Sequence, residues 1–72
     1  MTNVYELWET RSGNLMDSFE TQDEALAIVM DAIRRYGTAY VDSIMLVVGH
    51  GSESKEIAAG PNLAEWAMKT AV

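Results

Sequence analysis

The chain alternates strand-like and helix-like patterns, and its most apolar segment is the run Ile-Met-Leu-Val-Val at residues 44–48. A strand with one face in water alternates apolar and polar side chains, whereas an unbroken apolar run indicates that both faces are covered. A domain of 72 residues usually builds only two layers, so it has little of its own to place on the second face. We therefore expect the surplus apolar surface to contact a partner, such as a second copy of the chain.

Residues 4–10 and 15–20 have strand-like patterns on either side of a turn-rich tetrapeptide, which predicts a β-hairpin. Pairing Leu7 with Phe19 separates the apolar side chains into two sets. The set on the expected core face is Tyr5, Leu7, Leu15 and Phe19. The set on the opposite, mixed face is Val4, Trp8 and Met16.

A helix is expected between Thr21 and Gly37. Thr21 and Glu24 have the spacing of a capping box, and Gly37 follows the last turn as a C-terminal cap. The apolar stripe of this helix is Leu26, Val29, Ile33 and Tyr36, flanked by Ala25, Ile28, Met30 and Ala32. Because the arc is wider than a sheet contact requires, we expect another helix or a neighbouring chain to cover part of it.

The second half of the chain predicts a strand over residues 41–48, a turn over 49–52 and a shorter strand over 54–59. In the third strand, one face carries Ile44, Leu46 and Val48, and the other carries Val41, Met45 and Val47. Gly60-Pro61 then begins a second helix. Its apolar face is Leu63, Trp66, Ala67 and Thr70, and Trp66 is expected to pack in the core.

The order ββαββα predicts a single α+β domain over residues 1–72. We expect a two-layer fold, with a four-stranded, mostly antiparallel sheet and both helices on one face. The opposite face would carry the candidate interaction residues Trp8, Met16, Met45 and Val47. Tryptophan and methionine are frequent at contact surfaces, and a few such residues in register form a patch of the size that marks contact sites.

Charge and cysteine content narrow the function classes. Five basic and eleven acidic residues give a net charge of −6, which disfavours direct binding to nucleic acids or to anionic membranes and permits a basic protein partner. The chain has no cysteine, so self-association is the remaining route to extra stability. No secretory signal pattern is present and no apolar run approaches about 20 residues, so the expected compartment is the cytoplasm.

The polar residues predict no catalytic, cofactor-binding or metal site. His50 is the only histidine and could act with Glu53 or Asp42, but a polar residue in a glycine-flanked turn is the preferred interpretation. The carboxylates in the first third of the chain are expected to form a solvated rim. Without cysteine or a serine in a nucleophile context, we expect that the protein is not an enzyme.

Several segments resemble short stand-alone bacterial proteins of uncharacterised function. They are Tyr-Glu-Leu-Trp at 5–8, Ser-Gly-Asn-Leu at 12–15, Ser-Phe at 18–19, Thr21, Glu-Ala-Leu at 24–26, Ser-Lys at 54–55 and Ile-Ala at 57–58. The portion from Phe19 to Leu26 is also similar to the strand-to-helix junction of HicB-type antitoxins. The strand with glycine and cysteine that usually precedes that junction is missing here. Neither resemblance implies an activity or a functional residue.

The leading hypothesis is a small non-enzymatic interaction protein that forms a homodimer, through either the sheet face without helices or an exposed strand edge. The alternative is an acidic inhibitor or antitoxin-like protein, whose carboxylates neutralise a basic, nucleic-acid-binding target. An enzyme is the third and least favoured class.

Overall fold

A computed structural model describes residues 3–70. Its elements are β1 (Val4–Glu9), β2 (Asn14–Phe19), α1 (Gln22–Tyr36), a 3₁₀ helix (Thr38–Ser43), β3 (Ile44–His50), β4 (Glu53–Ala59) and α2 (Gly60–Thr70). The strands form one four-stranded antiparallel sheet in the order β2-β1-β3-β4. The predicted ββαββα order and α+β class are therefore confirmed.

Both α-helices pack on the same face of the sheet. Leu7, Leu46 and Ala58 lie opposite one another on neighbouring strands, so their side chains share a face. All three belong to one buried cluster with residues of both helices, namely Ala25, Leu26, Val29, Leu63, Ala64 and Ala67. We call the other side of the sheet the helix-free face, because neither α1 nor α2 contributes to it.

The two ends of α1 lie where the sequence predicts them. The Thr21 hydroxyl accepts a hydrogen bond from the Glu24 backbone N–H at 3.2 Å, and the Gly37 N–H donates to the Ile33 carbonyl at 2.8 Å. These bonds satisfy backbone groups that the helix ends would otherwise leave unpaired. The outer part of the apolar arc stays in solvent, since Ile28 is 47% and Tyr36 64% exposed.

The register predicted for the β1–β2 hairpin is wrong. Phe19 pairs with Tyr5 rather than with Leu7, although all three side chains contact the core as expected. A bulge between Leu7 and Trp8 then leaves β2 with one residue more than β1 over the same length. Beyond such a bulge, the side chains of the longer strand change faces.

The bulge exchanges the predicted positions of Leu15 and Met16. Leu15 pairs with Trp8, and it therefore lies on the helix-free face instead of the core face. Met16 lies on the helix side, where it lines a groove together with Ile28 and Val29 of α1. The prediction that Met16 lies on the face opposite the helices is therefore wrong.

The third strand begins later and ends later than expected. Residues 41–43 belong to the 3₁₀ helix, whose tighter turn carries the Val41 side chain into the core rather than to the face of Met45 and Val47. At the other end, Gly49 and His50 continue the ladder with β4, so the turn is shorter than the predicted one.

Helix α2 follows β4 without a loop. Gly60 has φ +55°, and a Cβ at this position would lie 3.4 Å from the Asp42 carbonyl oxygen. The buried face of α2 is Gly60, Leu63, Ala64 and Ala67. Trp66 is 38% exposed and outside the core cluster, so its predicted core position is wrong. Small residues bring α2 close to its neighbours and leave the indole at the margin of the contact.

We expect Gly60→Ala to destabilise the fold by about 1–2 kcal/mol, because a side chain at positive φ is strained. Gly49→Ala is the matched control. Gly49 does not have a positive φ, and the nearest atoms to an added Cβ are 3.8 Å away. Urea unfolding of both variants measures the difference. Equal stabilities of the two variants would contradict the role given to Gly60.

Candidate interaction surface

One row of side chains on the helix-free face is apolar across all four strands. In register order, this apolar row is Leu15, Trp8, Met45 and Ala59. Leu7 precedes Trp8 and Leu46 follows Met45, and both Leu7 and Leu46 point to the helices. Because sequence neighbours on a strand point to opposite faces, Trp8 and Met45 point away from the helices. The row is therefore a continuous apolar strip that neither helix covers.

The next row on the same face is acidic. In register order, this acidic row is Ser18, Glu6, Val47 and Glu56. Val47 is only 7% exposed, yet it is outside the core cluster, so the side chains around it on the sheet cover it. Among the strand residues assigned to these two rows there is no lysine or arginine. Carboxylates therefore border the apolar row without a cation between them.

The Trp8 side chain joins the two rows. Its indole Nε1–H donates to the Glu6 carboxylate at 3.4 Å, and both side chains are partly buried. Because residues two apart on a strand point to the same face, this bond directs the indole along β1 towards the acidic row. The indole then presents a flat apolar surface, which loses little rotational freedom when a partner covers it.

Of the four residues predicted for interaction, the structure brings three together. Trp8, Met45 and Val47 lie next to one another on the helix-free face, whereas Met16 lies on the other side. Leu15 takes the place expected for Met16 and is 47% exposed. Sequence reasoning missed it because β2 contains neither glycine nor proline to indicate a bulge.

A second apolar surface lies between β2 and α1. Met16, Ile28, Tyr36 and Tyr40 line an open groove of about 190 Å³, and the two tyrosine rings are 4.8 Å apart between centroids. An ion pair from the Arg35 Nε to the Asp31 Oδ2, 3.2 Å long, also lines it. The charged pair interrupts the apolar lining, so this groove is less uniform than the apolar row.

The two exposed strand edges are poorly suited to pairing with another strand. Each edge strand contains a bulge, in β2 opposite Leu7 and Trp8 and in β4 opposite Leu46 and Val47. In addition, β4 carries three charged residues within the stretch Glu-Ser-Lys-Glu. Bulges and edge charges are the devices by which proteins prevent strand addition.

His50 and its two candidate partners, Glu53 and Asp42, do not all lie at one place in the structure. The His50 Nδ1 lies 2.8 Å from the Asn3 side-chain oxygen, and Glu53 faces His50 across the β3–β4 pair. Asp42 precedes β3 and His50 ends it, so the third candidate lies at the opposite end of the strand. Within residues 3–70, no three histidine, aspartate or glutamate side chains are grouped closely enough to hold a metal ion.

Neither α-helix of the described residues has the length and apolar character needed to cross a membrane. Comparisons of the chain with protein-family models, with curated proteins and with solved structures found no match. The resemblances noted from the sequence therefore stay predictions, and the surface itself is the basis for the function proposed below.

Glu9 organises the hairpin turn beside the apolar row. Its carboxylate accepts hydrogen bonds from the Ser12 hydroxyl at 2.7 Å and from the backbone N–H groups of Arg11 and Ser12, each at 2.9 Å. The Ser12 hydroxyl, followed by the Arg11 N–H, holds the pKa of the Glu9 carboxyl below its ordinary value of 4.5. These bonds favour the ionised carboxylate.

The lowered pKa of Glu9 predicts how the turn responds to acid. Its contribution to stability is present above pH 4.5 and is lost as the pH falls through the lower folded-state pKa. We expect Ser12→Ala to raise this pKa, and Ser18→Ala, at another exposed serine of the hairpin, to leave it unchanged. Carboxyl carbon NMR titration measures both. A wild-type Glu9 that titrates at 4.5 or above would contradict the assignment.

Proposed function

We propose that this chain is a small, cytoplasmic, non-enzymatic interaction module that forms a homodimer through the helix-free face. The observation that supports the proposal is the apolar row, which continues from Leu15 on one edge strand to Ala59 on the other. When a second copy packs against this row, its apolar area is removed from water, and no further helix or strand is needed to cover it. The bulged and charged strand edges favour the sheet face over the edges as the contact.

The size of the face predicts a weak dimer. Four strands spaced by about 4.8 Å, each with about six residues rising 3.3 Å, give a projected area of roughly 400 Å². Stable complexes bury roughly 800 Å² on each partner, so a contact limited to this face falls in the range of transient interfaces. We therefore expect a weak contact in which monomer and dimer exchange.

The acidic row supports a second candidate function. Glu6 and Glu56 flank Val47 on a face whose two rows contain no basic residue, and the whole chain carries a net charge of −6. A basic protein could therefore dock on this surface, with carboxylates in the positions that phosphates would occupy on its usual ligand. This function is that of an acidic inhibitor or antitoxin-like protein.

Substitutions on the helix-free face should weaken the dimer. We expect Trp8→Ala to reduce affinity by about 2 kcal/mol, or roughly thirtyfold, as for a central aromatic anchor. Met45→Glu should abolish association, because it places a charge within the apolar row. The matched controls are Trp66→Ala and Met68→Glu on α2, where the side chains are 38% and 41% exposed. Light scattering over a concentration series measures each effect.

Two results would contradict the proposed homodimer. The first is a wild-type protein that remains monomeric throughout the concentration series. The second is a dimer that Trp66→Ala or Met68→Glu weakens as much as Trp8→Ala or Met45→Glu does. That result would place the contact on α2.

Salt distinguishes the two candidate functions. Two copies that each carry a charge of −6 repel one another, so added salt should tighten the homodimer by screening. A complex with a basic target should instead weaken steeply as salt is added. Sedimentation equilibrium at increasing sodium chloride measures the homodimer. Weaker self-association at higher salt would contradict a contact between two acidic copies.

A further inference from the structure

We propose that the helix-free face binds an arginine side chain of a basic protein, with the guanidinium stacked on the Trp8 indole and paired with the carboxylates of Glu6 and Glu56. This inference rests on the second candidate function and deepens it, because it names the group that a basic target presents to the face. The choice of occupant follows from charge complementarity, since a neutral or acidic segment gains nothing from the carboxylates of the acidic row.

The carboxylates of the acidic row have no cationic partner within the chain. Among residues 3–70, the ion pairs are Arg35–Asp31 in α1 and Lys69–Glu65 in α2, and each joins residues four apart on one helix. The acidic row takes part in neither pair, and its strand residues include no lysine or arginine. Its negative charge is therefore available to a cation from another protein.

The two carboxylates of the acidic row are spaced to hold one cation between them. Glu6 and Glu56 lie on either side of Val47, with only β3 between their strands. Their Cα atoms are therefore about 10 Å apart, or twice the spacing of neighbouring strands. Glutamate side chains extending from both sides can reach one group above Val47. Lys55 does not neutralise this position, because alternation along β4 directs it to the face opposite that of Glu56.

Trp8 supplies an aromatic surface beside this position. Its indole Nε1–H donates to Oε1 of Glu6 at 3.4 Å, and this bond leaves Oε2 of the same carboxylate for a donor from another protein. A cation over the face of an indole is attracted by the negative charge of its π system. Stacking on Trp8 therefore adds to the attraction of the two carboxylates.

These features favour arginine over lysine. A guanidinium is planar and carries N–H donors along its edges, so it pairs with carboxylates on two sides while its face stacks on an indole. An ammonium is a compact, strongly hydrated charge without a flat surface to stack. We therefore expect the helix-free face to distinguish two basic side chains of equal charge, which a diffuse acidic surface does not do.

Titration with hexa-arginine and hexa-lysine peptides tests the inference, because the two peptides have equal length and charge. The indole N–H resonances of the two tryptophans are followed by NMR, at a protein concentration at which light scattering finds monomer. We expect hexa-arginine to bind about fivefold more tightly than hexa-lysine, as a stacked guanidinium allows. It should shift the Trp8 resonance and leave that of Trp66 unchanged.

Single substitutions locate the contact. We expect Glu6→Gln and Glu56→Gln each to weaken hexa-arginine binding by about fivefold, because each removes a charge-assisted pair. Asp23→Asn is the matched control, since it removes one charge from α1 and should weaken binding by less than about twofold. Trp8→Leu keeps the face apolar and should abolish the preference for arginine. Trp66→Leu on α2 should retain this preference.

The outcomes separate the arginine site from the function on which it rests. If the two peptides bind equally and Asp23→Asn weakens binding as much as Glu6→Gln, the attraction is spread over the whole acidic surface. The inference is then overturned, while docking of a basic target survives. If neither peptide binds at low salt, that function fails as well. A shift confined to the Trp66 resonance also overturns the inference. Glu6→Gln and Glu56→Gln test the same pairing, so one suffices if circular dichroism shows that the other does not fold.

Discussion

The placement of both α-helices on one face of the sheet is the constraint on which this structure depends. Alternation along β3 directs Leu46 to the helices and therefore directs its neighbours, Met45 and Val47, to the opposite side. The two α-helices, of 15 and 11 residues, both pack on the face that Leu46 occupies. The apolar run of β3 consequently supplies both the core of the domain and an apolar surface outside it.

Side chains on the helix-free face partly cover one another. The indole of Trp8 is turned towards Glu6, and Val47 is almost covered by the residues around it. In the proposed homodimer, the bordering carboxylates and the overall charge of −6 repel the second copy, and apolar contact has to outweigh this repulsion. A surface of this kind fits reversible association better than an obligate interface, which is usually larger and more apolar.

Local signals in the sequence predicted much of the fold. The Thr21 cap, the Gly37 cap and the alternation in β1 and β3 depend on neighbouring residues. These signals predicted the order of the elements and the face on which three of the four candidate interaction residues lie. The errors have non-local causes. The bulge that exchanges Leu15 and Met16 is a property of strand pairing, and Trp66 is displaced because small residues in α2 make the close contact. Val41 was assigned to the third strand, but it lies in the 3₁₀ helix. A strand and a 3₁₀ helix can both bury a valine, so its apolar character does not distinguish them.

The two tryptophans allow the most direct test of the central claim that the helix-free face is the contact surface. Trp8 lies on that face and Trp66 on α2, so their indole N–H resonances in an NMR spectrum report on opposite sides of the molecule. As the protein is concentrated, the Trp8 resonance should move or broaden while that of Trp66 stays unchanged. A Trp8 resonance that does not change with concentration, or changes confined to Trp66, would contradict the account.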